Sequence, residues 1–203
     1  MVAGRGITHS KRAPKANIGR QASVYGIQTW VALPESGEDA APSFEHHPKD
    51  SLPVLEAEGI SLRLILGRAY GAAAPASVLS ETFYADVLLQ PAARMPMPDH
   101  EDRGLHILEG SISVAGETFE AGRMMVFRPS DRISVAAGPS GARLIMLGGA
   151  TLDGPRYIWW NFVSSRREKI DAAKEEWRKG EWGCGQFDLS PDDREEFIPL
   201  PAT

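Results

Sequence analysis

A single cysteine, Cys184, stands in the 203 residues, so no internal disulfide can form and nothing calls for an oxidising compartment. No apolar run approaches the roughly 20 residues that a membrane helix needs, and the first residues carry no apolar stretch of signal-peptide type. A cytoplasmic protein without a membrane partner is expected. Positive charge is also in deficit: 22 Lys and Arg against 27 Asp and Glu leave a net charge of -5, with a pI near 5.6. That balance lacks the broad electrostatic grip on phosphate of direct nucleic-acid binders. Arg5, Lys11, Arg12, Lys15 and Arg20 are a local exception, with no acidic residue among the first twenty. A solvated basic arm accounts for them. No G-x-S-x-G elbow, P-loop or G-x-G-x-x-G fingerprint occurs, and Cys184 lies in a Gly-rich turn with no histidine nearby, so nucleophilic catalysis has no support.

What is present is a core: 42% of the residues are hydrophobic, enough for one or two ordinary domains. From Val24 to Phe162 short alternating or apolar segments are punctuated by Gly, Pro, Asp and Ser, the pattern of an all-β sandwich or barrel. Candidate strands are Val24 to Leu33, Ile60 to Leu66, Phe83 to Gln90, Gly104 to Leu108, Ser111 to Val114, Arg123 to Phe127, Arg132 to Ala136, Ala142 to Leu147 and Arg156 to Phe162. Ile60, Leu62, Leu64 and Leu66 alternate and are expected to face the core together, with Ser61 and Arg63 outward. Pro34 to Pro53 reads as a connection between domains. Later the period changes. Ser165-Arg-Arg-Glu168 predicts a capping box, Ile170, Ala173 and Trp177 recur at helical spacing, and Gly180 stops the run. This predicts one α-helix, its apolar stripe on the outside of a barrel. Pro199 and Pro201 then predict an extended tail rather than an interior strand.

Several of these segments resemble the pirin family: Arg156-Tyr-Ile-Trp-Trp-Asn-Phe-Val-Ser-Ser165, the helix with Trp177, Phe197-Ile-Pro-Leu-Pro201, Ile27-Gln-Thr-Trp-Val-Ala-Leu-Pro34, Phe83-Tyr-Ala-Asp-Val-Leu-Leu89 and Gly4-Arg-Gly-Ile-Thr-His9-Ser10. Pirins are tandem cupin barrels. The resemblance therefore implies an all-β chain with one complete C-terminal cupin barrel of jelly-roll (double-stranded β-helix) type, the remnant end of an N-terminal cupin barrel, and one C-terminal α-helix. The implied domains are residues 1–35 as the remnant, 36–59 as a linker, 60–163 as the cupin domain, and 164–203 as helix and tail. A truncated gene or a misplaced start codon would produce such a chain.

In the family, the first barrel holds one iron through three histidines and a glutamate, two of the histidines from an H-x-H motif. Here His9 is the one ligand that the resemblance carries over, and Lys11 stands where the family has its glutamate. At about 4 Å and an effective dielectric near 20, an ammonium and a divalent ion repel by about 8 kcal/mol, twice the unit-charge figure. The expectation is an incomplete, vestigial metal site with no cofactor, iron belonging to the longer family pattern.

The second barrel fares no better. A cupin pattern anchored on Gly110 places Arg103 where the glutamate belongs and Pro96 with Pro98, or Met97 with Asp99, at the histidines; the turn Glu120-Ala-Gly122 places Met125 at the last histidine. Outside these motifs, Asp99-His100-Glu101-Asp102 with His106 offers donors at no metal spacing. His46 and His47, adjacent, point to opposite sides of an extended chain. Asp192-Asp193 with Glu195-Glu196 reads as a solvating run. No catalytic or cofactor-binding residue is assigned. Trp159 and Trp160, neighbours on one predicted strand, are expected to face opposite ways, Trp177 and Trp182 adding to an aromatic core.

Two functions follow: a non-catalytic pirin remnant acting by protein interaction, with a homodimer or protein partner covering an exposed barrel edge, or, in a longer natural chain, an iron-dependent quercetin 2,3-dioxygenase.

Overall fold

Side chains of high β propensity, laid out at period two, build most of the chain. The computed structural model describes residues 1–11, 19, 26–191 and 194–202, in two compact units, residues 45–151 and residues 1–44 with 152–203. Arg12, Lys15 and Arg20 of the basic arm, with Val24, Asp192 and Asp193, lie outside the described residues.

Unit 45–151 contains nine strands: β1 (Val54–Ala57), β2 (Ile60–Ala69), β3 (Ala72–Ala73), β4 (Thr82–Leu89), β5 (Arg94–Pro96), β6 (Asp102–Val114), β7 (Glu117–Glu120), β8 (Met124–Phe127) and β9 (Ser134–Gly149). They form one sheet in the order β1-β2-β4-β9-β6-β7, with β3 on β2, β5 on β9 and β8 on β6, every pair antiparallel. In β4, Phe83, Ala85, Val87 and Leu89 are buried while Leu88 is exposed. Segments expected as separate strands turn out to be continuous: Gly104 to Leu108 and Ser111 to Val114 are both β6, and Arg132 to Ala136 runs into β9 with Ala142 to Leu147. Each long strand bends midway, where the pairing shifts between Gly110 and Ile112. Gly110 has φ +73°, and a Cβ there would lie 2.1 Å from the Gly141 carbonyl oxygen, so the bend requires glycine. The two halves thereby share one core, in which Leu62, Phe83, Leu105 and Leu144 pack with Met95, Ile112 and Val135.

Leu66 departs from its expected place. A bulge between Leu64 and Leu66 inserts Ile65, so Leu66 pairs with Tyr84 and is only half-buried, while Leu62 and Leu64 stay in the core. One extra residue reverses the faces of everything beyond it.

In the other unit, β10 (Tyr157–Trp159) and β11 (Phe162–Ser164) form a hairpin, followed by α1 (Arg167–Lys179). The single strand expected over 156–162 is thus a hairpin, turned at Trp160, whose φ is +49°. Such a conformation costs a bulky residue about 1–3 kcal/mol. It also breaks strand alternation: Trp159 and Trp160 are both half-buried and both contact Phe162, at ring-centroid distances of 6.2 and 5.6 Å. Ile158 is the residue that faces out, 68% exposed. Helix α1 ends on Gly180 in the left-handed conformation, as its sequence predicts, and buries Ile170 and Ala173. It packs on β10 and β11. The capping box does not form: Arg166 is the N-cap without a side-chain cap, because Ser165 is engaged by Glu38. Of the strand expected over 24–33, the described residues 26–33 are in no strand.

Candidate functional site

At the start of β6, where the cupin pattern anchored on Gly110 expects a glutamate, stands a cation. The Arg103 side chain is 2% exposed. Its Nη1 donates to the Pro98 carbonyl at 2.9 Å and to Asp99 Oδ1 at 3.0 Å, and its Nη2 donates to the Asp131 carbonyl. The guanidinium thus ties the strand to the segment before β6 and the loop between β8 and β9. Its Nε is buried without a partner. Arg103 is the residue whose importance composition understated: Arg is almost never fully buried unless paired, and only the fold brings these carbonyls to it.

The remaining cupin-pattern positions do not assemble donors. Pro96 and Pro98 have no side-chain donor, Met97 is buried in the core, Met125 packs against it, and Asp99 is 86% exposed on the Arg103 pair. The neighbouring cluster disperses. His100 Nδ1 meets Glu81 at 2.8 Å, with its ring stacked on Phe83. Glu101 accepts from the Thr151 amide, and Asp102 and His106 lie within β6. His47 pairs with Glu45 at 3.0 Å, while His46 is exposed. Glu45 also accepts the Ser77 amide, and the His47 and Ser77 hydrogen bonds pull its pKa to about 2.

In the unit of residues 1–44 and 152–203, His9 is exposed and Lys11 Nζ donates to Gln28 Oε1 at 3.1 Å. Cys184 is exposed. Among the described residues no group of three or more His, Cys, Asp or Glu comes together. At the positions the sequence singles out, the described residues are an exposed imidazole at His9, an ammonium at Lys11 bonded to Gln28 and a buried guanidinium at Arg103.

What this unit does concentrate is a buried ion pair and an aromatic cluster. Glu38 and the Arg156 side chain are 7% and 5% exposed and 3.0 Å apart. Glu38 accepts from Ser164 Oγ, Ser165 Oγ and the Ser165 amide, while Arg156 also donates to the Leu33 carbonyl. Burial raises the Glu38 pKa, but the hydrogen bonds of Ser164 and Ser165 and the Arg156 charge outweigh it and hold the carboxyl below its ordinary range. The pair joins residues 33–38 to the hairpin, a long-range contact that no local pattern announces. Beside it, Trp177 contacts Trp160, Phe162, Trp182, Phe187 and Phe197 at 5.0–6.3 Å. Lys174 lies over Trp159, 4.7 Å from the ring centroid.

An antiparallel sheet folded around one core, followed in sequence by one α-helix among the described residues, defines a cupin-class β protein. Residues 84–183 match the Pirin C-terminal cupin domain family. Over 99% of its length the chain is 38% identical to a pirin-like protein of Caulobacter vibrioides, covering 68% of that protein. It is 31% identical to a putative quercetin 2,3-dioxygenase of Pseudomonas aeruginosa, covering 62% of it. A solved quercetin 2,3-dioxygenase of Acinetobacter baumannii superposes with a TM-score of 0.74 at 25% identity, over 86% of this chain and 57% of that one. The chain belongs to the pirin family, and spans roughly two thirds or less of the length of these relatives. No helix among the described residues is long and apolar enough to cross a membrane.

Proposed function

We propose that this chain is a non-catalytic binding module of the pirin family, working in the cytoplasm through protein contacts rather than a bound metal. One observation carries the reading: cations stand at both candidate glutamate positions, Lys11 bonded to Gln28 and Arg103 buried among carbonyls. Either cation disfavours a divalent ion by several kcal/mol at contact distance, about 8 kcal/mol at 4 Å and a dielectric near 20. Within these 203 residues His9 is the one candidate ligand, fewer than a mononuclear iron oxygenase needs. The test is ferrous loading under anaerobic conditions, with metal content by mass spectrometry and quercetin consumption under dioxygen. Iron far below one per chain and no consumption are expected; stoichiometric iron with turnover overturns the reading.

The partner proposed is a second copy of the chain. Ile27, Trp30 and Val31 are 49–52% exposed in an extended-type sequence that enters no strand among the described residues, a surface suited to edge pairing. Light scattering coupled to size exclusion should give a dimer; a clean monomer removes this part. A second reading, an iron-dependent quercetin 2,3-dioxygenase, is favoured by the two relatives so named. The intact mass of the protein from its own cells separates the two: a mass above 22.1 kDa with an upstream H-x-H peptide supports the enzyme.

A further inference from the structure

We propose that the aromatic face of Trp159, Trp177 and Trp182 is a binding groove for extended, proline-containing segments led by an aromatic residue, and that the chain's own tail is its resident occupant. The groove does not depend on iron content or on the edge proposed for self-association, so its test stands apart from both.

In Phe197-Ile-Pro-Leu-Pro201 the rings fix φ of Pro199 and Pro201, and each proline restricts the residue before it, Ile198 and Leu200, to extended conformations. Four consecutive residues are therefore held near a polyproline-type geometry before any contact forms, and little entropy remains to be lost on docking. Such a segment has no internal hydrogen bonds, so its carbonyls need outside donors. Trp177 supplies one: its Nε1–H donates to the Ile198 carbonyl at 2.9 Å. The Phe197 ring anchors beside it, with centroids 4.9 Å from Trp182 and 6.2 Å from Trp177, both edge-to-face. A flat indole wall with an N–H aimed at a carbonyl of a proline-bearing chain is the chemistry by which aromatic grooves recognise such ligands.

Two observations make the occupant exchangeable. The tail is loosely seated, with Phe197 43% and Ile198 70% exposed. It also leaves the groove unfilled: a cavity of about 380 Å³ remains between Trp159, Trp177, Arg178 and the residues from Pro199 to Ala202. A segment in trans that keeps the aromatic anchor and the prolines, and reaches into that space, competes with the tail.

The experiment titrates the full chain into a labelled peptide of its own residues 194–202, Arg-Glu-Glu-Phe-Ile-Pro-Leu-Pro-Ala, followed by fluorescence anisotropy. In the parent chain the tethered tail competes at an effective concentration of order millimolar, so binding is weak. Phe197→Ala, which removes the tail's own anchor and leaves Trp159, Trp177 and Trp182 in place, should bind the peptide about tenfold more tightly. Adding Trp177→Phe, which keeps a ring and removes the donor, should weaken that binding about fivefold. A peptide with both prolines replaced by alanine should bind about fivefold more weakly than the native one. A Pro199→Ala/Pro201→Ala chain, altered only in the exposed tail, is the second release variant should Phe197→Ala perturb folding. Equal affinity of parent and both release variants, or indifference to Trp177 or to the peptide prolines, overturns the proposal.

Discussion

Replacing Arg103 with methionine removes the buried guanidinium while keeping most of its volume. Two close carbonyl bonds count, those to Pro98 and Asp131, the Arg128 carbonyl at 3.5 Å adding little. A hydrogen bond to a charged group contributes about 1.5–3 kcal/mol, so their loss costs about 3–6 kcal/mol. The Asp99 bond adds little, since that carboxylate is 86% exposed and solvent screens such a pair to about 0–1 kcal/mol. Against this, methionine removes the cost of a buried charge and of the partnerless Nε, returning about 1–3 kcal/mol. The difference spans about 0–5 kcal/mol with a midpoint near 2.5 kcal/mol, and at that midpoint Tm should fall by roughly 5–10 °C for a chain of this size. Differential scanning calorimetry measures it, and hydrogen exchange should localise the loss to residues 96–102 and 128–133. Arg103→Glu should be worse than methionine, because a carboxylate would face carbonyl oxygens. A methionine variant as stable as the parent, or more so, refutes the reasoning and makes Arg103 a tolerated remnant instead of a clasp.

Glu38→Ala should cost about 3–5 kcal/mol, since it strands the buried Arg156 charge, and urea denaturation reads the change directly; a loss under 1 kcal/mol would mean that water reaches the guanidinium. Because the folded Glu38 pKa is depressed, its stabilisation is complete above the ordinary carboxylate range and is lost as pH falls through the folded value, so the difference between parent and Glu38→Gln should shrink on acidification. Glu45 follows the same sign: its contribution holds above 4.5 and fades toward about 2. An NMR titration of its carboxyl carbon should find a midpoint near 2, and a midpoint near 4.5 would show that the His47 and Ser77 contacts do not persist in solution.

Alternation in Phe83 to Leu89, helical spacing through Ile170, Ala173 and Trp177, and the stop at Gly180 are local patterns, so the all-β class and the single helix could be read from the sequence, as could the pirin resemblance in its motifs. Leu66, Trp160 and Ser165 could not be placed that way. A bulge at Ile65 reverses one face of β2, a left-handed Trp160 turns an apparent strand into a hairpin, and Glu38, more than a hundred residues away in sequence, captures the serine that local rules assign to a helix cap. Each outcome depends on contacts between distant segments, and their energy exceeds the roughly 1 kcal/mol preferences on which sequence patterns rest. The same holds for function. Residue identity alone put cations at Lys11 and Arg103 and prolines at 199 and 201. Tertiary structure decided that the guanidinium would be buried among carbonyls and that the tail would meet an indole N–H, because a hydrogen bond needs a donor and an acceptor brought to within about 3 Å of each other.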